Sequence, residues 1–389
     1  MKKTDVLITG LGVISAAGTG ISATLDSFRQ RERNAGPVSI FKTALICPVF
    51  EVKQIPDEFI MEKNRTLSLA LYAVDAALKD AALGNLAGLR VGVCIGTTVA
   101  SQINDLDFYK SYRSSGEAPM EVADRYLKSN VAEFIARKFK ARGPVLTVVN
   151  ACSSGTDAIG AAFSWLKNGL CDIAIAGGAD ELNLVPLCGF SSLGIVNQGL
   201  CTPFDQDRKG LNLGEGAGIL VMETEDSAKK RGASSEICVL GYGASADAYH
   251  LTAPRPDGAG LETSIYKALS EAGIKPSEIS FVNAHGTGTI DNDLVEGKVL
   301  GRIFGNDIKM LSTKGFTGHA LGAAGGLEAA FTAAGLREGW IPASIGFKNK
   351  DEEIPVMPVM EETKINGGLA LSTSLAFGGN NAALLLGRL

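Results

Sequence analysis

The sequence predicts an α/β protein in which one unit is used twice, and three observations lead there. Short β-branched runs alternate with helical stretches of small residues. Forty-seven glycines against 13 prolines supply the tight turns and close backbone approaches of such a fold. Two stretches, LTVVNACSSG and KMLSTKGFTG, each run a strand into a turn and then into a Gly/Ala-rich helix, for which a weak internal duplication is the economical explanation. With 389 residues, 46% hydrophobic and 20% charged, the chain can bury a large core.

In chain order, Val6 to Thr9, Val91 to Ile95, Val145 to Val149, Ile173 to Ala176 and Ile219 to Met222 read as strands. Leu67 to Ala82 and Thr156 to Lys167 carry helical spacing of Leu, Ala and Phe. The charged stretch Glu223 to Arg231, closed by Gly232, marks a seam, so residues 1–235 and 236–389 are expected as two halves. The second half predicts a strand at Ile237 to Tyr242, a helix near Leu261 to Ala272, a strand at Ile279 to Asn283 and a helix near Asp291 to Phe304. A strand at Lys309 to Ser312, a helix at Leu321 to Leu336 and the strand pair Leu369 to Ser374 and Ala382 to Leu386 complete it. Duplicated units bring two strand-to-helix junctions face to face, outside the carboxyl ends of strands, where sites form. Small residues in both junction helices, among them Gly155, Gly160, Gly322, Gly325 and Gly326, suit close, fully buried helix packing.

A net charge of -5 argues against nucleic acid as the main partner, while a local patch leaves an acidic protein partner open. The seven cysteines form no C-x-x-C pair and no His/Cys metal cluster, which suits a reducing, cytoplasmic protein. Asp5 and the glycines at 10, 12, 18 and 20 interrupt any signal-peptide core at the start, and no apolar stretch reaches the roughly 20 residues of a membrane span.

Cys152 stands between an apolar strand and a helix, where backbone N–H groups and the positive helix end favour a thiolate; the alternative is a small buried hydrophobe. Two of the three histidines, His285 in NAHGTGT and His319 in STKGFTGHALGAAGG, stand in Gly/Thr-rich turns directly after strands. A histidine there can offer a neutral Nε2 donor to a developing enolate or oxyanion, or serve as a cap. His250, in DAYHLTAPRPDG, reads as structural or as pocket wall.

With these residues in view, the chain resembles the elongating β-ketoacyl-acyl carrier protein synthases of the thiolase superfamily. The resemblance runs through VLITGLGVISAAG, NACSSG, CDIAIAGGADELN, TPFDQDRKGLNLGEGAG, DAYHLTAPRPDGAG, VNAHGTGTIDND, STKGFTGHALGAAGGLEA and LAFGGNNAALLL, in the family's order and over nearly the whole length. It implies a thiolase fold, with duplicated βαβαβ-type halves in α-β-α-β-α layers. It implies Cys152 as nucleophile, His285 and His319 as the active-site histidines, Lys314 as the active-site lysine and Glu328 as its partner. Phe377, in FGG, corresponds to a gate whose N–H joins that of Cys152 in an oxyanion hole, and Thr287 and Thr289 correspond to pantetheine contacts. The implied reaction is a decarboxylative Claisen condensation of an acyl group on Cys152 with malonyl-acyl carrier protein. The phosphopantetheine arrives on the carrier protein, and no metal or redox cofactor is needed, because the β-carboxylate is itself the electron source. The Lys314–Glu328 pair also has a purely structural reading, as a bridge holding the loop of His319.

Asn150 stands where the family has threonine, Leu375 where it has phenylalanine near the gate, and Asn380 where it has threonine. Gly96 to Ser101, including Thr98 and Val99, replaces a glycine-rich segment that floors the family's acyl pocket beside the dimer interface. The short chain points to a specialised pathway, such as aryl polyene or other polyketide assembly. Lys63, Arg65, Arg208 and Lys209 are candidates for a basic rim that docks the acyl carrier protein. Association as a homodimer, or as a heterodimer with a homologous chain-length-factor subunit, is implied. A degradative thiolase needs a second cysteine near the C-terminus, and none follows Cys238. A cysteine hydrolase leaves His319, Lys314 and FGG without a task, and a non-catalytic chain-length-factor-like subunit would lack the nucleophile.

Overall fold

The computed structural model describes residues 6–61, 64–99, 106–121 and 130–389. The first strand, β1 (Val6–Ser15), runs well past Thr9 because Gly10 and Gly12 are sheet positions rather than turn positions. A Cβ at either would come within 2.1 or 1.9 Å of the Ala77 or Ala73 carbonyl oxygen of the helix packed on it. Those glycines let the helix lie directly on the strand. The strand β2 (Val91–Gly96) then leads to β3 (Val145–Val148), β4 (Ile173–Asp180) and β5 (Gly216–Thr224). The sequence of strands begins again with β6 (Ile237–Ala246), β7 (Phe281–Asn283), β8 (Lys309–Leu311), β9 (Leu369–Ala376) and β10 (Asn380–Arg388).

The spatial order is β3-β2-β4-β5-β1 and then β6-β10-β9-β7-β8. The second run is the first in mirror order: β2 lies parallel to β3 and β4, as β7 does to β8 and β9. In each run the remaining pairs, β4 with β5 and β5 with β1, β9 with β10 and β10 with β6, are antiparallel. The two sheets join where β1 meets β6 antiparallel at Val6 and Leu7.

Helices fill the remaining layers. In chain order they are α1 (Ile21–Gln30), α2 (Arg65–Asp80), α3 (Leu106–Ser115), α4 (Val131–Phe139), α5 (Ser154–Lys167), α6 (Leu184–Ser192), α7 (Glu225–Lys230), α8 (Ala259–Ala272), α9 (Ile290–Phe304), α10 (Lys314–Thr317) and α11 (Ala324–Glu338). The expected helices are present with ends shifted by a few residues. The spacing did not reveal α1, α3 and α4, where short apolar stripes alternate with many polar residues, nor α6, where Pro186 and Gly189 interrupt a short apolar run.

Helix α2 packs on β1, β4 and β5 from outside, and α8 packs on β6 and β10. Between the sheets lie α5 and α11, each touching strands of both. Every residue of α11 from Ala324 to Leu336 is buried, so its small side chains are what two covered faces demand. A Cβ on Gly155 would stand 2.7 Å from the Gly326 nitrogen and 2.8 Å from the Gly322 carbonyl oxygen. The two central helices therefore touch backbone to backbone at their N-terminal ends. Among the described residues no helix is long and apolar enough to cross a membrane.

Candidate active site

The turns that leave the carboxyl ends of β3 and β8 meet and carry the chemistry. After β3 the chain turns through Ala151, at φ 49°, and presents Cys152 just before α5 begins. After β8 it passes through α10 and delivers His319, with Leu321 at φ 52°. Non-glycine residues in this left-handed region carry strain of order 1 kcal/mol each and persist only where the surroundings hold them.

Cys152 Sγ lies 3.1 Å from His319 Nε2, and the His285 and His319 rings stand edge to face with centroids 5.2 Å apart. Their tautomers follow from what the other nitrogens accept. His319 Nδ1 accepts from the Leu321 N–H at 3.2 Å. His285 Nδ1 lies 3.1 Å from Lys314 Nζ, which also donates to the His285 carbonyl at 2.5 Å and to Glu328 Oε1. Each neutral ring thus keeps its proton on Nε2. Burial first, and then the Lys314 charge, hold both imidazoles well below the usual histidine range, so they are neutral donors at physiological pH.

The thiolate expectation for Cys152 is corrected. Burial pushes its thiol up to about 11, and the Lys314 charge and a hydrogen bond from the Phe377 N–H offset only part of that rise. The resting sulfur is a thiol. Burial likewise raises Glu328 to about 7, against the pull of Lys314, and its Oε2 finds no hydrogen-bond partner among the described residues.

These groups open into a cleft of about 260 Å³, lined by Cys152, His285, His319, Thr287, Thr289 and Phe377, with Lys209 exposed at its wall. Thr287 and Thr289 share a 2.8 Å hydrogen bond between hydroxyls. The Phe377 ring lies on Phe190, centroids 5.3 Å apart. Its neighbours Gly378 and Gly379, at φ 86° and 76°, make the turn that no Cβ-bearing residue would take readily.

Other candidates are elsewhere. The Thr98 hydroxyl and N–H both donate to Asp180, and Val99 packs among Leu187, Leu211 and Leu321, so neither lines the cleft. Arg65 is spent on Glu215, at 2.8 and 2.6 Å, and on the Val52 carbonyl. Arg208 is buried, pairs with Asp351 at 2.6 Å and donates to the carbonyls of Asp205, Thr289 and Ile290. Arg208 is an internal clamp rather than a docking cation, because a buried guanidinium must spend its donors inside, while Arg65, its side chain 28% exposed, is held by its buried partner Glu215. Lys63 lies outside the described residues. His250 is exposed, and its Nδ1 accepts from the Thr252 and Ala253 N–H groups, which fits its structural reading.

Sequence reasoning missed the buried carboxylates that hold the site loops. Glu296 accepts from the His285 and Gly286 N–H groups, both at 2.8 Å, and from Thr373. Asp293 accepts from the N–H groups of Phe204 and Gly288. The signal was present: two acids three apart, in the first turns of the helix that follows HGTGT, face back onto that loop. Asp180 gathers Thr97, Thr98, Val99 and Gly322. The Asn212 carbonyl and Gly214 N–H bracket His319 from the NLGEG stretch.

A cysteine in reach of one imidazole, with a second imidazole beside it and a buried lysine behind, on two mirrored α/β sheets, defines the class of carbon-carbon condensing acyltransferases. The chain belongs to the β-ketoacyl synthase family: residues 51–228 match its N-terminal domain and 237–348 its C-terminal domain. It is 35% identical to 3-oxoacyl-[acyl-carrier-protein] synthase 2 of Synechocystis, over 99% of this chain and 98% of that one. Among solved structures it is similar to the ishigamide ketosynthase/chain length factor, with a TM-score of 0.93, 32% identity and full coverage of both chains. It also resembles a ketosynthase in complex with its chain length factor from Xenorhabdus doucetiae, with a TM-score of 0.84, 31% identity and 99% and 98% coverage. It is a condensing enzyme of fatty acid or polyketide synthesis, with the thiolase fold of these ketosynthases.

Proposed function

We propose that the enzyme transfers an acyl group from a carrier-protein thioester to Cys152 and condenses it with malonyl-acyl carrier protein. In the first step the Cys152 sulfur bonds to the acyl carbon, the carrier's C–S bond breaks, and the thiol proton passes to the leaving pantetheine sulfur. With the thiol raised to about 11 the free thiolate is scarce, so the proton must leave the sulfur as the new bond forms. The N–H groups of Cys152 and Phe377 would hold the tetrahedral oxyanion, each donor being typically worth ~3 kcal/mol. In the second step the malonyl carboxylate leaves as CO2, and its electron pair forms an enolate held by the Nε2–H groups of His285 and His319. That carbon bonds to the acyl carbon, the Cys152 C–S bond breaks, and the sulfur takes up a proton from solvent water. A neutral imidazole is the right donor, since it polarises the enolate oxygen without first binding the malonyl carboxylate as an ion partner.

The observation that carries this reading is the Cys152–His319 contact at 3.1 Å, with Lys314 fixing the His285 tautomer. Lys314 and Glu328 position His285, while Thr287 and Thr289 line the way in for the pantetheine arm and Phe377 closes it. The seven free cysteines are in keeping with a reducing cytoplasm. The edge strand β3 leaves Val145 36% and Leu146 44% exposed, and Val149 just past it 67%, which supports pairing of that edge with a second, homologous subunit. Likeness to ketosynthases solved with a chain length factor favours a heterodimer. Intact-mass spectrometry with a panel of acyl-carrier thioesters tests the reading. An adduct on wild type that is absent from Cys152→Ala, followed by a β-ketoacyl product on adding malonyl-carrier, is expected. No adduct, with or without a partner subunit, overturns it.

A further inference from the structure

The nucleophile and its histidine come from different halves of the chain, so something must hold Cys152 in register with His319. The turn that carries Cys152 is gripped by one carboxylate. Asp157 Oδ2 accepts from Asn150 Nδ2 at 2.6 Å and from Ser153 Oγ at 2.8 Å, taking hold of the chain on both sides of the cysteine. Ser154 completes the grip: its hydroxyl accepts from the Asn150 N–H at 2.7 Å and donates to the Ala151 carbonyl at 2.6 Å. This is where the strain of Ala151 is held. The other oxygen, Asp157 Oδ1, accepts from Tyr242 Oη at 2.7 Å. Tyr242 lies on β6, a strand of the half that bears His319. Its ring covers Gly160 so closely that a Cβ there would stand 2.5 Å from it. A chain of hydrogen bonds therefore runs from the second half, through Tyr242 and Asp157, to Asn150 and Ser153 on either side of the nucleophile.

We propose that Asp157 and Tyr242 are positioning residues that register Cys152 against His319 across the two halves. Neither lines the cleft, so they act through the turn and not on substrate. This rests on the ketosynthase reading for its kinetic consequence, but its geometric content does not.

Tyr242→Phe removes the cross-half hydrogen bond and keeps the ring over Gly160. Asp157→Asn loosens the grip on the turn. The experiment measures site-resolved alkylation by iodoacetamide, with the exposed Cys188 as an internal reference. It also measures kcat, KM for malonyl-carrier, and Tm for both variants and the double variant. Because misplacement of a reacting group is expensive, kcat should fall about tenfold in Asp157→Asn and about threefold in Tyr242→Phe, with KM unchanged. The Cys152 alkylation rate should change in step while that of Cys188 stays constant. The double variant should be no slower than Asp157→Asn, since both changes cut one linked chain. If Asp157→Asn does not fold, Tyr242→Phe decides. The inference is overturned if folded variants keep kcat and Cys152 alkylation within about twofold of wild type. It is equally overturned if the two losses multiply in the double variant, or if Cys188 changes as much as Cys152. Should wild type make no β-ketoacyl product, with or without a partner subunit, the ketosynthase reading fails, while the alkylation comparison still decides the positioning role.

Discussion

At Cys152 two influences oppose each other, and burial wins. The Lys314 charge and the Phe377 N–H favour the thiolate, yet the sulfur is 5% exposed and its thiol sits at about 11. Alkylation of Cys152 should therefore rise about tenfold per pH unit from 7 to 10, since the thiolate is the nucleophile. A plateau near pH 7 in site-resolved alkylation would contradict this. Lys314 is almost wholly buried, with Glu328 and His285 as its partners. Lys314→Ala leaves Glu328 without its cation and frees His285 Nδ1 to take the proton; kcat should fall on the order of a hundredfold, read with malonyl-carrier as substrate. Glu296 offers a stability test. Its folded pKa, raised by burial from 4.5 to about 7, means that the folded state binds more protons than the unfolded state between those values. The contribution is therefore present below 4.5 and lost as pH rises through 7. Glu296→Gln cannot accept from both the His285 and Gly286 N–H groups and will be less stable, but thermal melts should show the gap to wild type narrowing from pH 5 to pH 8.

At the scale of elements, the close approach of α5 and α11 fixes the distance between the two junctions. Gly155→Ala would place a methyl group inside 3 Å of the backbone at Gly326 and Gly322, which belongs to the other helix and cannot step aside. Overpacking of this kind costs about 1–3 kcal/mol, and here it would also separate Cys152 from His319. Differential scanning calorimetry should show a lower Tm, together with a kcat loss larger than the stability change alone explains. Gly160→Ala should lower Tm as well, because its Cβ meets the Tyr242 ring.

At the scale of the molecule, the strand order places one edge, β3, at the outside of ten linked strands with apolar side chains uncovered. A homologous subunit pairing there would bury that edge. Leu146→Lys should then shift the assembly toward monomer in light scattering while leaving the far-UV circular dichroism unchanged; an unaltered mass would remove β3 from the interface.

With Lys314 and Glu328 supplied by the resemblance to a known family, the sequence by itself determined the alternation of strands and helices, the repeated junction, and the candidacy of Cys152, His285 and His319. These are properties of residue type and spacing: β-branched runs, turn glycines, and reactive side chains directly after strands. Only the tertiary structure decided which charged residues are internally paired. Arg65 and Arg208 look like surface cations in one dimension, but their partners Glu215 and Asp351 are 150 and 143 residues away. Thr98 lost its place at the cleft for the same reason, since Asp180 is 82 residues further along. The thiol state of Cys152 was out of reach as well. Local sequence reports the helix end beside the sulfur, whereas the desolvation that outweighs it comes from every element packed around the turn.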